Sequence, residues 1–156
     1  MSSIPPKSVP SVLLPHTGEK SLAQMTMVSE LANEGKPTQA RMLAGLLMKN
    51  SLYAKNDSKR LELQQKWAQL DEATRGQVKA GCLQTLRSPT MEVRNQACQV
   101  IAKIGGCELP NGQWLEVINQ LKDMVVGGQD MNAKHGALVA LGYLCQVRGS
   151  GLAEVA

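Results

Sequence analysis

The chain has 156 residues, 43% of them hydrophobic, and a formal net charge of +4. That length suits one domain of ordinary size or a short array of repeats, and no run approaches the ~20 apolar residues of a membrane span. Aromatic residues make up 3% and Phe is absent, so the core must be Leu, Val, Ile, Met and Ala packed helix on helix; the mild positive charge lacks the dense Lys/Arg face with interleaved aromatics of a nucleic-acid site.

Residues 1–20 carry four of the seven prolines and no apolar period, which predicts a disordered or extended lead-in. Helical spacing begins at Ser21. Leu22, Met25, Val28, Leu31 and Ala32 make one apolar face of a short helix ending near Asn33-Glu34-Gly35. The next helix, about 37–53, starts on Pro37, whose missing N–H would be unpaired there anyway. Its predicted inner face is Ala40, Leu43, Ala44, Leu47 and Ser51. Met42, Leu46 and Tyr53 form a second apolar strip. What is left is a narrow stripe of Arg41, Gly45 and Lys49 with Asn50 at its edge: either a docking surface or simply the solvated face of an amphipathic helix.

A loop over 55–58 leads into a shorter helix, 59–70, holding Leu63, Trp67 and Leu70. Asp71 can cap a helix over 72–87 with Val78, Cys82, Leu83 and Leu86 inward. Ser88-Pro89 starts another over 90–105 that buries Val93, Ala97, Val100, Ile101 and Ile104 and turns Glu92, Gln96, Gln99 and Lys103 outward. Gly105-Gly106 is its predicted stop. Pro110-Asn111-Gly112 turns the chain into a helix over 112–126, stopped by Gly127-Gly128. Asp130 caps the last helix, 131–147, which buries Ala133, Ala137, Ala140, Leu141 and Leu144. Residues 149–156 read as a flexible tail.

Short-turn helix pairs thus recur at 22–32/37–53, 72–87/90–105 and 112–126/131–147. The first helices of the last two pairs start about 40 residues apart, the period of HEAT or armadillo repeats. The predicted fold is an all-α HEAT-repeat α-solenoid of about three helix pairs over residues 21–148, with the 59–70 helix inserted. Each pair buries its apolar face only by stacking on the next, and the second helices line one concave side.

Little in this pattern can do chemistry. His16 lies in the lead-in, and His135 has no cysteine or carboxylate at i±4. Cys82, Cys98, Cys107 and Cys145 show no C-x-x-C pairing or metal-ligand spacing, so buried thiols in a reducing compartment are expected. No glycine run forms a phosphate loop. The chain is expected to be soluble and intracellular, to need no metal or cofactor, and to be no enzyme.

Ala40-Arg41-Met42-Leu43-Ala44-Gly45-Leu46-Leu47-Met48-Lys49-Asn50-Ser51-Leu52 resembles the second-repeat helix of the importin-β (karyopherin-β) family, with its Ala-Gly-Leu and Lys-Asn-x-Leu signature. Gln64-Gln65-Lys66-Trp67 with Leu70-Asp71, Leu83-Gln84-Thr85-Leu86, Cys107-Glu108-Leu109-Pro110, Gln113-Trp114 and Ala140-Leu141-Gly142-Tyr143-Leu144-Cys145-Gln146 are similar to further family segments in the same order. The resemblance runs from about 24 to 147. It implies HEAT repeats, nuclear transport, and binding of the small GTPase Ran in its GTP form by inner helices. Nucleoporins are further implied partners, and importin-α or cargo in a longer form. Nucleic acid and membrane are not. The implied locations are cytoplasm, nucleus and the nuclear envelope or pore.

Carried over by residue, Lys49 and Asn50 are the matched positions expected to face Ran, with Arg41 on the same surface and Lys134 near the start of a later inner helix. The family's first repeat is replaced by the Pro-rich lead-in, and about three repeats are present. Terminal helix pairs are expected to expose apolar surface, giving marginal stability or self-association. The alternative function is a HEAT scaffold for an unrelated complex.

Overall fold

The computed structural model describes the backbone of residues 19–155 and the side chains of residues 19–146. Helix α1 covers 19–32. Then follow α2 (Thr38–Asn50), α3 (Asp57–Gln69), α4 (Glu72–Thr85), α5 (Met91–Glu108), a 3-10 turn (Leu109–Asn111), α6 (Glu116–Gly127) and α7 (Met131–Val155). Among the described residues there is no strand. The all-α reading therefore holds. The expected lead-in lies outside the described residues up to position 18.

Local chemistry sets the helix starts. The Asn56 side chain accepts from the Lys59 N–H at 2.9 Å, Asp71 from Thr74 N–H at 3.3 Å, and Asp130 from the N–H groups of Asn132 and Ala133. Each satisfies donors that the first helical turn leaves open. Two expected ends move. Gly105-Gly106 does not stop α5, which runs on to Glu108. Gly105 instead serves close packing: a side chain there would overlap Leu144 of α7. The backbone of α7 is helical to Val155, past the expected tail start at Gly149, because glycine weakens a helix by only about 1 kcal/mol and no proline intervenes.

The pairs α1/α2, α4/α5 and α6/α7 are helical hairpins, and the second helices stand side by side in the order α2–α5–α7. Val78, Val93, Ala97, Ile101, Val117 and Leu144 are among the fully enclosed residues between the two rows. The α5 inner face is the expected one: Val93, Ala97, Val100, Ile101 and Ile104 are all completely buried.

Helix α2 is rotated relative to expectation. Its buried residues are Arg41, Ala44, Gly45 and Met48, with Leu52 just beyond, whereas Leu43, Leu46 and Leu47 are exposed. The supposed outer stripe is the packed one. A Cβ on Gly45 would sit 2.9 Å from Cβ of Gln96, so glycine lets α2 and α5 approach closely. Correspondingly, Gln96, Gln99 and Lys103, expected to point outward from α5, are half-buried against α2.

Helix α3 is fastened by a polar hub. Glu108, 1% exposed, accepts from Trp67 Nε1 at 2.8 Å and from Lys79 Nζ at 2.7 Å, and Arg75 lies 3.6 Å away. One carboxylate at the end of α5 thereby ties α3 and α4. Lys79 also lies 5.2 Å from the ring centroid of Trp114. Trp114 has a left-handed φ of 59° yet is buried. Such backbone strain costs about 1–3 kcal/mol and persists only where packing over-determines it.

Candidate partner-binding surface

The four residues expected to face Ran lie in two places, and Arg41 does not share a surface with Lys49 and Asn50. Counted from the capping positions Pro37, Thr90 and Asp130, Arg41, Arg94 and Lys134 are equivalent in α2, α5 and α7; each donates its backbone N–H to that capping residue's carbonyl. They form a basic row near the helix starts. Arg41 is 2% exposed, which removes it from any partner surface. Its Nε donates to the Leu31 carbonyl at 2.9 Å, and its two terminal nitrogens donate to the Glu34 carboxylate at 3.0 and 3.1 Å. Leu31 lies in the last turn of α1, where carbonyls lack helical partners. Arg41 is thus a cap for the preceding helix. Arg94 repeats the theme, donating to the Ser88 carbonyl at 2.8 Å and to Asn132 Oδ1 at 3.2 Å, with His135 Nδ1 at 3.4 Å. Lys134 is half-buried in the same row.

Lys49 and Asn50 lie at the other end of the row. They line a groove of about 350 Å³ with Tyr53, Gln99, Ala102, Lys103 and Tyr143. Lys49 Nζ donates to Gln99 Oε1 at 2.8 Å, across the α2–α5 joint. Lys103 Nζ stands 3.7 Å from the Tyr53 ring centroid, and the Arg60 guanidinium is 5.6 Å from the same ring. The lining holds two ammonium groups and two phenol rings but no carboxylate. Such a surface offers flat aromatic contact area with cations fixed at its edge, which suits protein docking.

Tyr53, Lys103 and Tyr143 were not singled out from sequence. A signal existed: Asn50, Lys103 and Tyr143 occupy the same position counted from Pro37, Thr90 and Asp130. Tyr53 was assigned to an apolar strip, where its ring gave no hint of the lysine above it.

Nucleophilic chemistry finds no support at the cysteines. Burial pushes the thiols of Cys82, Cys98 and Cys107 up to about 12. Cys145 is exposed, unlike the other three. A thiol reagent at neutral pH should therefore modify one cysteine of the folded chain quickly and the rest only on unfolding; rapid labelling of a second thiol would contradict this burial pattern. Among the described residues no group of three or more His, Cys, Asp or Glu side chains could hold a metal ion, and no helix is long and apolar enough to cross a membrane.

Residues 25–88 match the family model of the importin-beta N-terminal domain. Importin subunit beta-1 of Arabidopsis thaliana is 43% identical over 122 residues, which are 78% of this chain and 14% of the relative. The chain belongs to the importin-β family. Solved structures agree with that placement. A Kap95p chain from a study of its binding to RanGDP matches with TM-score 0.77 and 30% identity, covering 88% of this chain and 16% of that one. A Kap95:Nup1 complex gives TM-score 0.75 and 30% identity, covering 89% of this chain and 16% of that one. This importin-β-family chain therefore spans about one seventh of the length of the curated relative. Its signature residues divide by role: Arg41, Trp67, Glu108 and Trp114 hold the fold, whereas Lys49 and Asn50 line the groove.

Proposed function

We propose that this chain is the part of a nuclear transport receptor that engages the small GTPase Ran in its GTP form, and that the groove at the α2–α5–α7 joint is a contact site. The observation that carries this reading is the row of second helices ending in Lys49, Asn50, Lys103 and the two tyrosines. Its relatives add support: Kap95p binds RanGDP in one similar structure and Nup1 in another. Nup1-type nucleoporins are accordingly a second partner class. Importin-α or cargo would be engaged by a longer form. The chain acts by binding and catalyses no reaction, and its place of work is the cytoplasm, the nucleus and the pore between them.

The test is capture of the folded chain by Ran carrying a non-hydrolysable GTP analogue, against Ran-GDP. Capture should prefer the GTP form. Lys49→Glu combined with Lys103→Glu should weaken it about tenfold or more, since two charges are reversed at one docking edge. Unchanged capture by the folded double variant would remove the groove from the interface. No capture of the folded chain in either nucleotide state would favour a scaffold for an unrelated complex.

A further inference from the structure

A second pocket, of about 260 Å³, lies between the start of α1, the residue after α2 and the side of α3. Lys20 and Gln24 of α1, Ser51, and Lys59 and Lys66 of α3 line it, over a floor of Leu63, Trp67 and Leu70. The lining holds three ammonium groups and no carboxylate. Glu62 pairs with Lys59 at 3.4 Å and with Lys66 at 3.0 Å, so among the described residues three positive charges meet one negative charge. The cluster repels itself: partial burial, and then the Lys66 and Lys59 ammonium groups, hold Lys20 below the usual lysine range. Lys20 and Lys59 also stand in the first turns of their helices, where the helix dipole disfavours a cation. Gln24, 8% exposed, adds an unmet demand. Its Nε2 donates to Ser51 Oγ at 2.9 Å, while the Ser51 hydroxyl donates to the Met48 carbonyl at 2.7 Å. That chain fixes which way the amide points and leaves Gln24 Oε1 enclosed with no donor among the described residues.

We propose that this pocket binds phosphate, either as free hydrogenphosphate or as a monoester carrying a hydroxyl beside the phosphate group. A phosphate group brings about −1.5 to −2 charges at neutral pH and three acceptor oxygens. It thereby matches three ammonium groups less one carboxylate, a surplus of two positive charges. The hydroxyl supplies the donor that Gln24 Oε1 lacks. The apolar floor strengthens the attraction, since a charge held against it is screened less than one in open water. The Trp67 N–H is already taken by Glu108 and makes no demand on the ligand. The pocket shares no lining residue with the groove of Lys49 and Lys103, so it stands or falls apart from the Ran reading.

Isothermal titration calorimetry on the 156-residue chain tests this at constant ionic strength, with inorganic phosphate, sulfate and myo-inositol 1-phosphate as probes. Phosphate should bind one to one. Sulfate, similar in size and charge but without a hydroxyl, should bind several-fold more weakly. Tighter binding of the inositol phosphate would identify an ester as the ligand, and equal or weaker binding the free ion; either supports the site. Lys20→Gln and Lys66→Gln should each weaken phosphate binding about tenfold or more, the loss of one charge-assisted hydrogen bond. Without phosphate, Lys20→Gln should melt no lower than the unaltered chain, because it removes a repelled charge, so its lost binding is not lost folding. No binding by the folded chain, binding that both variants retain in full, or equal binding of sulfate would overturn the proposal.

Discussion

Replacing Glu108 by alanine should lower the free energy of unfolding by about 3–5 kcal/mol. The carboxylate is almost fully buried and holds Trp67 Nε1 and Lys79 Nζ directly, with Arg75 beside it. Alanine would orphan the indole N–H and remove the counter-charge of two partly enclosed cations. Leaving such groups buried and unpaired is what makes half of an ion pair worse than none. Glu108→Gln separates the two contributions, because the amide keeps an acceptor but loses the charge. It should fall between wild type and Glu108→Ala. Urea unfolding followed by circular dichroism reads both. A loss below about 1 kcal/mol for Glu108→Ala, the size of an ordinary surface change, would mean that the hub is solvated and does not tie α3 to α4 and α5.

Arg41→Ala should cost about 2–4 kcal/mol, again by urea unfolding, and the cost should come chiefly from the buried end of the side chain. Glu34, its ionic partner, is 53% exposed, so that contact is screened by water. The Nε bond to the Leu31 carbonyl is enclosed and caps α1. Glu34→Gln should therefore cost less than about 1 kcal/mol. Arg41→Lys should recover little of the loss, since one ammonium cannot reproduce a planar fork reaching a carbonyl and a carboxylate together. The hydrogen bonds from Arg41 hold the Glu34 carboxyl below the usual carboxylate range. A carboxyl lowered on folding adds stability above its unfolded pKa and loses it as pH falls through the folded one. The small Glu34 contribution should thus vanish on acidification, and Glu34→Gln should flatten that part of the stability profile. If Glu34→Gln cost as much as Arg41→Ala, the ion pair and not the carbonyl cap would be the anchor.

The helices themselves were legible because their determinants are local. Asp71 and Asp130 cap where a short polar side chain precedes an apolar period. Every residue assigned to the inner face of α5 is buried, because those apolar residues share one helical face. Its opposite side was misjudged, since α5 is packed on both flanks and Arg94, Cys98 and Ala102 are buried as well. The period of about 40 residues and the colinear family segments likewise fixed the solenoid and its inserted helix.

The orientation of α2 was not legible. Its sequence offers apolar residues on both flanks of a stripe that looks polar, so amphipathicity alone has two solutions. The choice between them was made by atoms from elsewhere in the chain: the open Leu31 carbonyl that draws Arg41 inward, and Gln96, against which only a glycine at 45 fits closely. The groove was half legible for the same reason. Lys49 and Asn50 stand in a recognisable motif, but Lys103 and Tyr143 reach them only because second helices stack side by side. The sequence by itself determined which segments are helical and to which family they belong, since those follow from neighbours within a turn or two and from order along the chain. Starts were legible where a short polar side chain caps, as at Asp71 and Asp130. But α5 begins at Met91 after Thr90, beyond the expected Ser88-Pro89 start. Likewise α6 begins at Glu116, not at 112, because the 3-10 turn over Leu109–Asn111 and the left-handed Trp114 intervene. Only the tertiary structure decided which charges are buried and which remain for a partner, because burial is set by what packs against a residue from distant parts of the chain.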